Sequence, residues 1–184
     1  MVKDAEPSAP LDEHALMRRV QGGEVGAFEQ LYDRLAPRIM GFLYGMSSDR
    51  ALAEDLTQET FLRAWRAAPR WQPRAQVSTW LFQIAKRLWW KERARRVRRP
   101  VRPAPPGPRS EPESSRRLEE GDEARRLRLA ISRLPPRSRV VFVLVRLGDL
   151  PYAETARILG LPLGTVKSRM AFAEAWLRKH LETR

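Results

Sequence analysis

The chain has 184 residues and a formal net charge of +13, from 35 Lys+Arg against 22 Asp+Glu, with 15 prolines, 10 glycines and no cysteine. Absence of cysteine excludes disulfide scaffolds, thiolate zinc sites and cysteine nucleophiles, and no apolar run approaches the ~20 residues of a membrane span. So large a positive charge favours an anionic polymer as partner, although an arginine bias also follows from a GC-rich genome.

Residues 1–10 carry charges and prolines without an apolar period and are expected to form a disordered lead-in. Asp12 can cap a short helix through Val20, ended by Gly22-Gly23. From Ala27, Phe28, Leu31, Tyr32, Leu35, Ile39, Phe42 and Leu43 keep helical spacing, with Pro37 an expected kink. Ser47-Ser48-Asp49 breaks this pattern and caps a third helix over residues 50–67. On its wheel Leu52, Ala53, Leu56, Thr60 and Ala64 share one side, and Asp55, Gln58, Glu59, Leu62 and Arg66 share the other. A polar face is most often simply solvated, but Leu62 amid the charges points to a partner.

A loop with Trp71 leads to Ser78-Thr79, expected to cap a fourth helix reaching about Arg96. There Leu81, Ile84, Ala85 and Leu88 make a buried stripe, and Phe82, Lys86, Trp89, Trp90 and Arg93 fall on the opposite side. Aromatics interleaved with cations suit single-stranded nucleic acid, with rings stacking on bases and cations following phosphates. Periodicity alone is met equally well if Trp89 and Trp90 are core, and for Trp80 core is the favoured reading.

Residues 97–112 are Arg-rich and then Pro-rich, an extended linker. Beyond it, residues 118–134 form a charged amphipathic helix with Leu127, Ile131 and Leu134 in register, stopped by Pro135-Pro136. Residues 137–147 are expected to be another helix despite the β-branched run Val140 to Val145. Two short helices follow around Gly160-Leu161-Pro162, with Ala156 and Leu159 on the first and Val166, Met170, Ala173 and Leu177 on the second marking buried stripes. Gly164-Thr165 starts the second helix, and Lys167, Ser168 and Arg169 stand in its first turn, the helix-turn-helix layout. A plain αα-hairpin in a bundle shares this pattern. The expected fold is all-α: two small helical domains on a proline-rich linker, with boundaries at 11–97, 98–116 and 117–184.

Four stretches, Ala53 to Trp65, Ser78 to Ala85, Leu134 to Arg146 and Tyr152 to Arg169, together resemble the extracytoplasmic-function (ECF) sigma factors of bacterial RNA polymerase in order and spacing. The resemblance implies a cytoplasmic, non-enzymatic protein that binds core RNA polymerase and promoter DNA, duplex and melted, with no cofactor or metal and no membrane. Asp55, Gln58, Glu59, Leu62 and Arg66 become the polymerase-docking face. Trp71, Trp80, Lys86, Arg87, Trp90 and Arg93 become the residues that melt the promoter and hold a flipped base of the minus-ten element. Extrusion costs a few kcal/mol, and stacking at ~1–3 kcal/mol per base can offset it. Thr165, Lys167, Ser168 and Arg169 become the readers of the minus-thirty-five element, and an anti-sigma factor the implied inhibitor.

The chain also departs from the family. After Arg169 it reads Met170-Ala171-Phe172-Ala173-Glu174-Ala175-Trp176 where further basic residues are usual, and Arg87 stands where the family usually has Asn. With each bidentate contact worth ~1–3 kcal/mol, minus-thirty-five binding should be weaker or of different sequence. Phe172 can instead meet a thymine methyl, or form with Trp176 an apolar spot for a protein. A stand-alone helix-turn-helix regulator is the alternative. It would need a dimer surface for paired half-sites, for which Phe172 and Trp176 alone offer material. An enzyme is disfavoured: His14 and His180 lie at opposite ends, and no metal-spaced cluster is present.

Overall fold

The structure, a computed structural model, describes residues 12–98 and 121–182, and every regular element among them is helical. The expected lead-in at 1–10 and the linker from 99 onward lie outside the described residues.

α1 (Glu13–Gln21) starts where the Asp12 carboxylate accepts from the His14 amide at 3.2 Å. α2 (Val25–Ser47) runs through Pro37, with Leu31, Leu35, Ile39, Phe42 and Leu43 buried. Ser48 closes α2 in the left-handed region (φ 56), and Asp49 caps α3 (Arg50–Ala67) by accepting from the Leu52 amide at 3.0 Å. A carboxylate there satisfies an orphan amide and meets the positive end of the helix dipole. Two hydroxyls buried in α3, Thr57 and Thr60, return hydrogen bonds to Ala53 and Leu56 carbonyls, so neither is left without a partner.

α4 (Val77–Arg98) begins differently from expectation. Its first turn is capped by Glu13 of α1, whose carboxylate accepts from the Ser78 amide at 2.9 Å. The Thr79 hydroxyl is spent elsewhere, on Glu154, 2.8 Å away and 75 residues along the chain. Sequence supplies local caps only, and this one is tertiary.

α5 (Asp122–Arg133) and α6 (Pro136–Phe142) follow, and the β-branched run ends in a π-helical segment, Val143–Leu147. The widened turn closes through the Gly148 amide onto the Val143 carbonyl at 2.9 Å. α7 (Tyr152–Leu159) ends at Gly160 in the left-handed region (φ 65), where glycine carries no Cβ penalty. α8 (Leu163–Glu182) starts one residue before the expected Gly164. Its stripe of Val166, Met170, Ala173 and Leu177 is buried as the periodicity requires, while in α7 Ala156 is buried as expected together with Thr155 and Ile158, and Leu159 is only half-buried.

The two helical units, α1–α4 and α5–α8, share one continuous apolar core. This corrects the assignment of Phe82 and Trp89 to an outward face of α4. Phe82 is fully buried and Trp89 nearly so, and for Phe82 part of the cover comes from Gly148 of the second unit. Phe82 packs edge-on against Phe42, with ring centroids 5.8 Å apart, and Gly148 sits over its rim.

At the far end of α4, Glu92 accepts from Arg95 at 2.7 and 2.8 Å and from Arg96 at 2.9 Å. Arg95 and then Arg96, against an opposing desolvation cost, hold its carboxyl at about 2 instead of 4.5. A carboxyl whose folded pKa is depressed adds stability above its unfolded value, and that stability is lost as pH falls toward the folded value. Both arginine side chains are more than half exposed, at 58% and 53%, so solvent screening leaves each pair only a small contribution. Glu92→Gln is therefore expected to lower stability slightly at pH 7, with the difference shrinking below pH 4.5 and vanishing near pH 2. Urea unfolding of both proteins across that range measures it.

Candidate functional site

Along α3, Asp55, Gln58, Leu62 and Arg66 are exposed and Glu59 half-exposed, all on the side away from the core. Leu62 keeps 43% of its surface in water. Glu59 is steadied by Arg63, one turn on, at 2.6 Å. Beside this row Trp65 is 37% exposed, its ring set edge-on to Phe28 at 4.9 Å. On a chain of net charge +13 the row combines two carboxylates with an apolar centre. Such a surface, with Arg63 and Arg66 beside the carboxylates, suits a protein partner of mixed charge with an apolar contact at its middle.

α4 divides the second group of predicted residues into two sets. Trp90 and Arg93 are exposed together at its C-terminal half, with the guanidinium 5.4 Å from the indole centroid. They line a shallow groove of about 300 Å³ with Ala94, Val97 and Arg98. An indole face flanked by two arginines is fit to stack a base and neutralise its phosphate. Arg87 is exposed on the same helix.

Trp71, Trp80 and Lys86 are engaged within the protein. Trp71 is only 9% exposed: its ring meets His14 edge-on at 5.3 Å and Trp80 at 6.4 Å, and its carbonyl accepts from Gln21 at 2.9 Å. Trp80 is half-buried against the core. The Lys86 ammonium donates to the Ile158 carbonyl at the end of α7, and burial, then the Arg87 charge, lowers its pKa. Within this packing Trp71 is buried and the Lys86 ammonium is engaged, while Trp80 keeps part of its surface exposed.

At the start of α8, Lys167 and Ser168 are exposed and Thr165 and Arg169 half-buried. The Ser168 hydroxyl donates back to the Thr165 carbonyl at 3.1 Å. Glu174, an anion out of place by sequence in a DNA-reading helix, is paired with Arg146 of the π-helical segment. Trp176 stacks on His180 at 3.6 Å, and Phe172 is left 49% exposed.

Sequence reasoning missed the clamps between the units. Arg38 of α2 donates to the carbonyls of Gly148 and Asp149 at 3.0 and 2.7 Å. Arg139 of α6 donates to Gly45 at 3.1 Å, to Met46, and to Ser132 at 3.1 Å. Burial, and then the charge of Arg93, lowers the pKa of Arg139. Neither arginine belongs to a local motif, since its partners across the seam lie about a hundred residues away. No group of three His, Cys, Asp or Glu residues able to hold a metal occurs among the described residues.

Two family models match the chain in succession. Residues 31–99 match the family model for Sigma-70 region 2, and residues 124–177 that for Sigma-70 region 4. ECF RNA polymerase sigma factor RpoE of Cereibacter sphaeroides is 37% identical, with 91% of this chain and 93% of that one covered. ECF RNA polymerase sigma factor SigK of Mycobacterium bovis is 32% identical, with 96% and 97% covered. Among solved structures, CnrH in complex with the cytosolic domain of CnrY superposes with a TM-score of 0.67 at 26% identity, covering 92% of this chain and 97% of that one.

Proposed function

This chain belongs to the ECF RNA polymerase sigma factors, and from that premise we propose how its three exposed residue groups divide the work of initiation. A sigma factor associates with core RNA polymerase and directs promoter recognition, and the stand-alone regulator gives way to that role. Asp55, Gln58, Glu59, Leu62 and Arg66 dock on the polymerase. Trp90, Arg93 and Arg87 hold the melted minus-ten strand, with Lys86, Trp80 and Trp71 assigned to the same melting surface. Thr165, Lys167, Ser168 and Arg169 read the minus-thirty-five element, with Phe172 beside them as the apolar contact.

The observation that carries this reading is the separation of charge: an acidic row with an exposed leucine on α3, and a tryptophan-arginine groove on α4 of the same unit. One surface offers carboxylates around an exposed leucine and the other an indole with arginines. The chain performs no covalent chemistry of its own and acts in the cytoplasm with the polymerase. No described helix is long and apolar enough to cross a membrane. The structural relative CnrH binds CnrY, and a protein inhibitor of the anti-sigma class is proposed here too.

Run-off transcription with purified core polymerase and promoter fragments of the source genome tests the reading. The full chain is expected to give promoter-dependent transcripts that core alone does not give. Trp90→Ala removes one stacking face worth ~1–3 kcal/mol, so open-complex formation should fall roughly 5- to 150-fold while core binding stays unchanged. Permanganate reactivity of unpaired thymines measures the first and co-elution the second. An undiminished permanganate signal removes Trp90 from the melting surface.

A further inference from the structure

The connection from α3 to α4, residues 68–76, is held by few bonds of its own. A 3-10 turn, Ala68–Arg70, closes with the Trp71 amide on the Ala68 carbonyl at 3.0 Å, and the Arg74 amide folds back onto the Gln72 carbonyl at 2.7 Å. Further fastenings come from α1, about fifty residues earlier in the chain. Gln21, the last residue of that helix, donates from one side-chain amide nitrogen to two loop carbonyls, Ala68 at 3.1 Å and Trp71 at 2.9 Å, and so uses both hydrogens of the group. His14 sets its ring edge-on to Trp71 at 5.3 Å. Its Nε2 atom is buried and meets no hydrogen-bond partner among the described residues, so toward Trp71 the imidazole acts as a packing ring. Glu13 caps the start of α4 at the Ser78 amide, 2.9 Å away and just past the loop. Three side chains of one short helix therefore grip the loop at its beginning, at its buried ring and at its end.

This grip leaves the outer side of the loop in water. Ala68, Trp71 and Val77 are buried, whereas Arg70, Gln72, Pro73, Arg74 and Gln76 are exposed. Two arginines and two amides on a short, fixed turn are donors suited to the phosphates and base edges of a single strand. Trp71 is placed differently, with its ring against those of His14 and Trp80. It pins the loop from beneath and offers no face for a base to stack on. A loop held in one conformation before its ligand arrives avoids the ordering entropy that a free loop would lose on binding, and the difference appears as affinity.

We propose that α1 is the positioning element of this loop, with Gln21 and His14 as positioning residues that draw Trp71 inward and thereby present Arg70, Gln72, Arg74 and Gln76 to the melted minus-ten strand. The inference rests on the melting assignment above. It gives a part in initiation to a helix that neither the docking row nor the helix-turn-helix uses, and it makes Trp71 the anchor of the melting surface.

Full-length variants assembled with core polymerase test it. Gln21→Met keeps the bulk of the side chain and removes both donors, His14→Ala removes the ring, and His14→Phe replaces it. The probes are the two strands of the minus-ten region, each as a fluorescent single-stranded oligonucleotide, taken from a promoter that the chain transcribes in run-off assays. For the strand that wild-type holoenzyme binds, Gln21→Met and His14→Ala are expected to bind about five- to tenfold more weakly and His14→Phe within about twofold of wild type. All three should co-elute with core as wild type does. A merely structural role would show as a loss that follows the fall in melting temperature, without recovery in His14→Phe, and that result overturns the proposal. Undiminished binding by Gln21→Met and His14→Ala overturns it too. If Trp90→Ala is then also undiminished, the melting assignment has failed with it; if Trp90→Ala alone is weakened, that assignment stands without the loop. Limited trypsin digestion of the free chain supplies a reading independent of DNA. Cleavage after Arg74, followed by mass spectrometry, should be roughly fivefold faster in Gln21→Met, with cleavage elsewhere in α1–α4 unchanged, because local opening sets the rate. Equal rates at Arg74 overturn the proposal.

Discussion

Charge reversal at Asp55 and Glu59, each to arginine, is expected to abolish co-elution with core RNA polymerase while leaving the helical spectrum and melting temperature nearly unchanged. Both side chains point away from the core, and the tie lost within the protein is the exposed Glu59–Arg63 pair, worth ~0.3–0.5 kcal/mol. At the interface the consequences are larger. Four units of charge change on one face, opposite a partner surface selected to meet carboxylates. Like charges brought together across an interface cost several kcal/mol, and every 1.4 kcal/mol is tenfold in affinity. A loss of at least a hundredfold follows. A milder change, Leu62→Ala, removes only the apolar centre of the row and should cost correspondingly less. Unchanged co-elution of the double arginine variant would reject the docking face.

The exposure of that row was legible in the sequence because it is a one-helix property. The wheel of α3 separates Leu52, Ala53, Leu56, Thr60 and Ala64 from Asp55, Gln58, Glu59, Leu62 and Arg66, and nothing else covers the second set. The same arithmetic failed on α4. Its Leu81, Ala85 and Leu88 stripe is buried as periodicity requires, but so is Phe82 on the other side, because α4 has a second neighbour. Periodicity reports that a helix has an apolar stripe and is silent on whether its polar side is solvated or covered. An aromatic-cation face satisfies either outcome: the ring of Phe82 is buried while the ammonium of Lys86 finds a carbonyl at the seam. The glycines were a signal that passed unused. Gly41 and Gly45 stand four apart in a helix interior, where each costs about 1 kcal/mol relative to alanine. Such a cost is retained where another backbone must come close, and here the π-helical segment does.

The closed seam also explains why the tryptophans divide as they do. Trp71 and Trp80 are held by α1 and by each other, close to Thr79, whose hydroxyl is bound to α7. Trp90 stands further along α4, one turn beyond Lys86, whose ammonium marks the reach of α7. It lies past the edge of the second unit and stays exposed. Arg93, one turn further on, still lies close enough to Arg139 of α6 for its charge to lower that residue's pKa, after the larger effect of burial.

Phe82 gives the largest expected effect on stability. Its ring is fully buried, packs edge-on against Phe42 of its own unit, lies under Gly148 of the other, and has the Arg38 guanidinium 6.0 Å from its centroid. Truncation of a buried phenylalanine costs about 3–5 kcal/mol, from lost transfer energy plus the cavity left behind. For a chain of this size that corresponds to a fall in melting temperature of roughly 6–20 °C. If the ring stabilises only α1–α4, its loss should add simply to that of Arg38→Gln. If it stabilises the seam, the two share one contact, and the double variant should lose less than the sum by ~0.5–3 kcal/mol. The second result is expected, because Arg38 and Phe82 meet the same residue, Gly148, from two helices of the first unit. Additive losses in a double-mutant cycle by calorimetry would confine Phe82 to the core of its own unit.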